Sequence, residues 1–390
     1  MRQEAYADPF NPGEIIDATT AFVGRVAANV LDESSVGMIV TQGDPSSSRD
    51  NSVAGVDFRY LNSRLAGSRS LEADAWIQKS DSEHLVVGDS GAFGLGIRMP
   101  SNTGLRGDVE FTRIEQNFNP ALGFVRRTGI DDLSLEIGHT WRPRGGALRS
   151  IFSGLNATRI EFIDDTFAQG EKLDVQSQTV NLQALNVELN SQDAFNIGVS
   201  SSKEGLERPF NISSGVTIPE GLYSFGTLNL SLRSGDQRAF GGGMFINDGD
   251  FYDGERFGVT TFVGWRPSPH FRTNLNYQYN QVSFPGKGDA LLANGQPRCT
   301  TPDCAFVTRV VRLSLEAIFS SRLSWVNLIQ YDNISRTIGV NSRLHWIPQA
   351  GREAFLVLNH NLRDDPLSPN DDFHTSFNEV TLKYSHTFRF

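Results

Sequence analysis

The sequence predicts an all-β fold, a large antiparallel transmembrane β-barrel of about 18–20 strands with short periplasmic turns and long extracellular loops. Three observations carry that expectation. Segments of about 9–13 residues alternate apolar and polar side chains, which suits strands that cross hydrocarbon at a tilt. Tight turns alternate with long polar loops. No stretch reaches the roughly 18 consecutive apolar residues of a membrane helix, so only a closed sheet of strands would cross a bilayer.

The closing stretch "EVTLKYSHTFRF" shows the alternation most plainly. Val380, Leu382, Tyr384, Phe388 and Phe390 fall on one side of an extended chain, and Glu379, Thr381, Lys383, Ser385, Thr387 and Arg389 on the other. Only His386 interrupts the apolar row. The stretch is about twice the usual strand length of about 5–6 residues. In chain order, comparable strands are expected near 18–30, 34–43, 52–62, 68–79, 91–101, 104–116, 131–142, 149–164, 172–190, 193–204, 222–234, 237–248 and 255–265. Next, Phe271, Leu275, Tyr277 and Tyr279 alternate with Arg272, Asn274, Asn276, Gln278 and Asn280. Val311, Leu313, Leu315, Ala317 and Phe319 alternate with Arg312, Ser314 and Glu316; a strand near 321–333 follows. Ile338, Val340, Leu344 and Trp346 alternate with Gly339, Asn341, Arg343 and His345, and strands near 353–363 and 374–390 end the series. The polar rows make Arg272, Arg312, Glu316, Asn341, Arg343 and His345 candidate lumen residues. A sandwich core would not tolerate so polar an inner row.

Between these strands "DESS", "LAGS", "SNTG", "SQDA", "SGDQ", "RPSP", "SSR" and "PQAG" are tight, whereas the connections around 44–51, 80–90, 117–130, 205–221, 285–303 and 364–373 are long. The short side is assigned to the periplasm. Trp141, Trp265, Trp346 and Phe390 then form an aromatic girdle near the periplasmic edge. On this reading the first and last strands both run toward the short turns, and the count comes to about nineteen, against the even number usual for bacterial barrels. The expectation is a barrel occupying 18–390 that lacks an odd number of strands, supplied upstream or by a partner chain, with residues 1–17 as an extension that fills the seam or lumen.

The formal net charge of −10 and the pI of about 5.2 exclude a general nucleic-acid binder, which needs a basic surface. The opening "MRQEAYADPFNPGEIIDA" has no apolar h-region, so an exported product is expected to be a mature form or a fragment.

The stretch "QNFNPALGFVRRTGIDD" (116–132), followed by "HTWRPRGG", resembles a motif of a family of large outer-membrane β-barrel proteins of unknown function. Members usually carry a family-9 carbohydrate-binding-like module before the barrel, and some are labelled membrane-associated hydrolases. "AFVGRVAANVLDESSVGMIVTQGD", "WVNLIQYDNISRTIGVNSRLHWIP" and "VTLKYSHTFRF" are similar to further blocks of that family, in the same order. The resemblance implies the C-terminal barrel part only. The carbohydrate-binding-like module, and barrel strands that members have before the first block, are not in this sequence.

Few constellations carry chemistry. Cys299 and Cys304 in "CTTPDC" are the only cysteines; a loop disulfide is the expectation, since zinc wants four ligands and no His or further Cys is near in sequence. "NDGDFYDGE" (247–255) lacks EF-hand spacing and reads as a solvated Asp/Gly hairpin tip, as "LRDDPLSPNDDFH" (362–374) reads as an acidic loop. Phe118, Phe124, Arg126 and Arg127, between two strands, are read first as a packed loop that anchors the barrel, and otherwise as a loop folded into the lumen with the arginines pairing with Glu316 or with ligand anions. No G-x-S-x-G, HExxH or P-loop occurs, the seven histidines are scattered, and no cofactor or resident metal is implied. The functional expectation is a bacterial outer-membrane barrel serving transport or surface scaffolding. Its expected partners are membrane lipid, lipopolysaccharide and, through the C-terminal strand, barrel-assembly machinery. The alternatives are a soluble all-β binding domain and a barrel-embedded hydrolase of glycans or lipids.

Overall fold

The computed structural model describes residues 2–3, 5–7, 15–65, 69–83, 85–168, 170–364 and 373–387. Near the N-terminus, β1 (Arg2–Gln3) pairs with β4 (Thr19–Thr20), and β2 (Tyr6–Ala7) with β3 (Ile15–Ile16). This small hairpin lies against the 44–50 loop: the Tyr6 hydroxyl donates to the Pro45 carbonyl at 3.0 Å and the Asp17 amide to Ser48 Oγ at 2.9 Å. The described residues of the expected 1–17 extension therefore pair with their own neighbours as far as Thr20.

The main sheet then begins with β5 (Phe22–Val30), β6 (Ser34–Gln42), β7 (Asn51–Leu65), β8 (Arg69–Ser82) and β9 (Gly91–Met99). It continues through β10 (Gly104–Ile114), β11 (Ile130–Trp141), β12 (Leu148–Ala168), β13 (Glu171–Leu189) and β14 (Ala194–Leu206). A loop hairpin of β15 (Phe210–Ser213) and β16 (Val216–Ile218) intervenes. The sheet resumes with β17 (Gly221–Arg233), β18 (Phe240–Phe251), β19 (Gly254–Ser268), β20 (Phe271–Ser283) and β21 (Ala305–Ser320), and ends with β22 (Leu323–Asp332), β23 (Thr337–Gln349), β24 (Arg352–Asp364) and β25 (Phe373–His386). These nineteen strands form one antiparallel sheet in which each strand pairs with its neighbour in sequence order. Among the described residues no register pairs β25 with β5. Every residue of β25 is exposed. Because all neighbours are antiparallel and the count is odd, β5 and β25 run in the same direction.

The strands form where the sequence alternates, and register aligns the alternation across the sheet. On one face Val26, Met38, Val56 and Ile77 are successive cross-strand partners, as are Trp325, Leu344, Leu356 and Leu382. No second layer covers this face among the described residues, and its large side chains stand open, with Val26 and Leu382 each 75% exposed. The other face is polar.

Tight connections gather at one end, where Gly351 takes φ +82° in the β23–β24 turn, a conformation glycine adopts without steric cost. The opposite end carries the long connections, but also tight hairpins at Tyr252–Asp253, inside the stretch read as a hairpin tip, and at 333–336. Two small clusters are buried at that long-loop end. Phe118 packs on Val53 and Ala92. Val216, Ile218, Val282, Phe284, Cys299 and Cys304 form the inside of a cap made by the 207–220 and 284–304 loops.

Candidate functional site on the polar face

One cross-strand row sets the chemistry of the polar face. Glu72, Arg98, Asp108, Glu136, Asn156, Asn181, Ser200 and Thr227 are successive partners from β8 to β17. The row passes from charge to amide to hydroxyl. At its charged end Arg98 reaches Asp74 at 3.0 Å, Asp108 at 2.9 Å and Glu110 at 3.3 Å. Arg25 meets Asp57 at 3.0 Å, Arg59 meets Glu72 at 3.4 Å, and Arg106 meets Glu136 at 2.7 Å. Four guanidiniums stand against six carboxylates here, so pairing offsets most of the charge and leaves this part of the wall net negative.

The amide part is a hydrogen-bonded track. Asn247 Nδ2 donates to Asn229 Oδ1 at 2.6 Å, Asn229 Nδ2 to Ser200 Oγ at 3.3 Å, and the Ser200 hydroxyl to Thr227 Oγ1 at 3.1 Å. Where the charged and amide parts meet, Arg106, Glu136, Phe152, Asn156, Asn181 and Asn196 line a cavity of about 370 Å³. The Arg106 guanidinium lies 4.2 Å from the Phe152 ring centroid, and Asn196 Nδ2 is buried without a hydrogen-bond partner among the described atoms. Neutral donors and acceptors of this kind exchange hydrogen bonds with water or with uncharged polar solutes at little desolvation cost.

The 115–129 loop folds onto this same face. Val53 and Ala92, which bury Phe118, alternate in phase with Asp57 and Gly94 on the polar side. Asn51 Nδ2 donates to Ser82 Oγ at 2.7 Å and to the Asn119 carbonyl at 2.9 Å, and the Asn119 amide donates to Ser80 Oγ at 3.0 Å. Gly94 must be glycine, because a Cβ there would sit 2.5 Å from the Trp76 indole nitrogen. Within the loop the expectation is corrected in part. Phe124 is exposed rather than packed, Arg126 is exposed, and Arg127 Nη1 donates to Gln176 Oε1 at 2.7 Å. Neither arginine reaches Glu316, since the loop leaves β10 and Glu316 lies on the distant β21.

Glu316 is held instead by its cross-strand partner Arg272, at 3.1 Å. Arg312 donates to Gln330 Oε1 from Nε and Nη2, at 3.1 and 3.0 Å. Asn341 Nδ2 donates to Asn359 Oδ1 at 2.5 Å, and Asn359 Nδ2 to Glu379 Oε2 at 3.2 Å. His345 lies 3.2 Å from Glu353 and stacks on Phe355, while Arg343 is exposed. These lumen candidates share the polar face, but they are dispersed over β20, β21 and β23 and form no single centre.

Cys299 and Cys304 are disulfide-bonded, with Cα atoms 5.3 Å apart. The expectation of a solvated tip at 247–255 is corrected: Asp253 is engaged by Arg298 in two hydrogen bonds of 2.6 Å, because the cap folds over the hairpin. Among the described residues no group of three His, Cys, Asp or Glu is placed to hold a metal ion.

Trp141, Trp265 and Trp346 all lie near the short-turn end of the apolar face, about half exposed. Trp325, opposite Leu344, joins them and was missed because its strand is short of clear alternation. Phe390 and the 365–372 part of the acidic loop lie outside the described residues. Sequence reasoning also missed Arg98 and the asparagine track; strand register alone brings their members together. No family model matches the chain, and a search of curated proteins finds no match.

Proposed function

We propose that this sheet is the wall of a bacterial outer-membrane β-barrel that serves transport or surface scaffolding, with the polar face turned to a water-filled lumen. The single observation that carries this reading is the uncovered apolar face opposite a continuous polar one. In water, exposed apolar patches larger than a few hundred Å² are rare on monomeric proteins, whereas lipid would cover this face. Strand lengths agree, since the shortest main strands, β5, β6 and β9, have 9 residues each, the lower limit of about 9–11 for a tilted crossing. The tryptophans at the short-turn end suit a headgroup-level girdle, and short turns are the feature of the periplasmic side in barrels of this kind.

The 115–129 loop and the disulfide-bonded cap would narrow the lumen from the outside. The amide track supports passage or docking of polar solutes. Lipopolysaccharide at the long-loop end and assembly machinery at β25 are the partners this reading brings. The sequence resemblance to outer-membrane barrels of unknown function points the same way. Among the described residues no hydrogen-bonded Ser/His/acid arrangement is seen for a hydrolase reading to rest on.

Partition tests the reading. Purified chain should need detergent for solubility, enter phospholipid vesicles with β-type circular dichroism, and show tryptophan fluorescence quenched more by headgroup-level probes than by acyl-centre probes. A monodisperse protein in plain buffer would refute it, and the opposite quenching order would refute the placement of the girdle.

A further inference from the structure

The cavity on the polar face owes its shape to two missing side chains. From β12 to β17 one cross-strand row reads Gly154, Gln183, Gly198 and Asn229. The two glycines open a gap in the side-chain layer, and the gap is the cavity of about 370 Å³. Larger residues do not fit there: a Cβ at Gly198 would lie 2.8 Å from the Leu182 carbonyl oxygen, and one at Gly154 would lie 2.5 Å from Phe152 Cζ. The rows on either side close the gap, with Asn156 and Asn181 toward the long-loop end and Phe152 and Asn196 toward the short-turn end.

Five carboxamides therefore ring a backbone floor. Gln183 stands between the glycines, and it and Asn156 are exposed. No hydrogen bond to another described residue engages the side chains of Gln183, Asn156 or Asn181, so their donors and acceptors are open to a solute. Among the lining residues the one cation, Arg106, lies 2.7 Å from the one anion, Glu136.

We propose that this gap binds an uncharged saccharide, with a sugar ring over Gly154 and Gly198 and its hydroxyls on Gln183, Asn156 and Asn181. The proposal names the solute for the face that the membrane reading turns to water, and rests on that reading for the route by which the sugar arrives. Exclusion carries half of the argument. A charged solute would give up hydration and find the only lining charges already paired, and an apolar one would strand the amides. Stereochemistry carries the other half. A carboxamide sets a donor and an acceptor side by side in one plane, and two hydroxyls on neighbouring ring carbons, each both donor and acceptor, meet it in two hydrogen bonds. A peptide offers only one backbone donor and one backbone acceptor per residue, too sparse for five carboxamides around one gap. The volume falls in the range of small-ligand sites, about 300–1,000 Å³.

The test is a titration followed by saturation-transfer NMR, in detergent, with maltotriose and cellotriose as uncharged sugars, trigalacturonate as a charged one and acetyl-trialanine amide as an uncharged peptide. Wild type should bind at least one uncharged sugar more tightly than the other two probes. Gln183→Leu and Asn156→Leu should each bind that sugar about tenfold more weakly, the scale of a lost hydrogen bond. Asn276→Leu, on the polar face of β20, should bind as wild type does. Circular dichroism checks that each variant is folded, and either of the two site variants suffices if the other is not. Failure of both uncharged sugars to bind, equal or tighter binding of the peptide or of trigalacturonate, or unchanged affinity in the folded site variants overturns the proposal. A chain monodisperse in plain buffer overturns the membrane reading instead, and the same titration run in that buffer still decides the sugar site.

Discussion

Arg298 is 3% exposed, yet it carries a full charge into the cap, with Asp253 across two hydrogen bonds and the Phe284 ring 4.8 Å away. Burial pushes the Asp253 carboxyl up, but the Arg298 bonds and charge, with Lys287 at 3.6 Å, outweigh it and hold it below its ordinary value. A carboxyl lowered by folding adds stability above its unfolded pKa of about 3.9, and that contribution is lost as pH falls through the lower folded value. The cap should therefore be closed at neutral pH and loosen only in acid below about pH 4. Hydrogen exchange of the 284–304 amides across this pH range, corrected for the intrinsic exchange rate, would measure it. Asp253→Asn should be loosened already at neutral pH, by about 3 kcal/mol for a broken buried pair, and should lose the acid transition. A variant with the wild-type profile would show that the pair does not hold the cap. None of this was legible in "NDGDFYDGE", because Arg298 lies 45 residues away and only the fold of the long loop brings it over the hairpin.

Strands were the legible elements, and registers were not. Alternation in β20, β21, β23 and β25 identified both faces, because a period of two is a local property of the chain. What the period cannot supply is which residue stands opposite which: a one-residue slip moves every side chain to the other face. So Arg98 could be seen as polar, but not as the partner of Asp74, Asp108 and Glu110. The long-loop end was harder still, since Tyr252–Asp253 turns as tightly as the connections at the other end. The pairing also sets dynamics. Along β5 and β25 alternate amides point to the neighbouring strand, and the rest point out of the sheet with no ladder to join. Hydrogen exchange in detergent should therefore alternate residue by residue in these two strands, outward amides exchanging about a hundredfold or more faster than inward ones, while β12 and β13 are protected throughout their paired length. Uniform protection along β5 and β25 would mean that something already pairs with both edges.

The whole molecule poses a parity problem that no single strand shows. Nineteen antiparallel strands leave β5 and β25 pointing the same way, so drawing the edges together directly would make a parallel ladder. A second copy cannot cure this while sharing the same orientation across a bilayer: β5 of one copy against β25 of the other is again parallel, and antiparallel β5–β5 pairing would turn one copy upside down. An unpaired edge in hydrocarbon costs several kcal/mol for each unsatisfied group, so the barrel reading has to satisfy both edges: an odd number of further strands between them would do so with antiparallel neighbours throughout, and a direct parallel ladder is the other way. Cysteine pairs test this geometry. Ala27 and Thr381 occupy the polar faces of β5 and β25, in phase with Arg25 and Glu379, and the native cysteines are already bonded to each other. A chain bearing Ala27→Cys and Thr381→Cys, inserted in vesicles and oxidised, should form no disulfide, since bridging needs Cα atoms within about 7 Å and an intervening strand would hold them farther apart. A control pair across a true ladder, Asn341→Cys with Asn359→Cys, should oxidise readily. Rapid bridging of 27 to 381 would show that the two edges meet directly, and that this sheet closes in parallel.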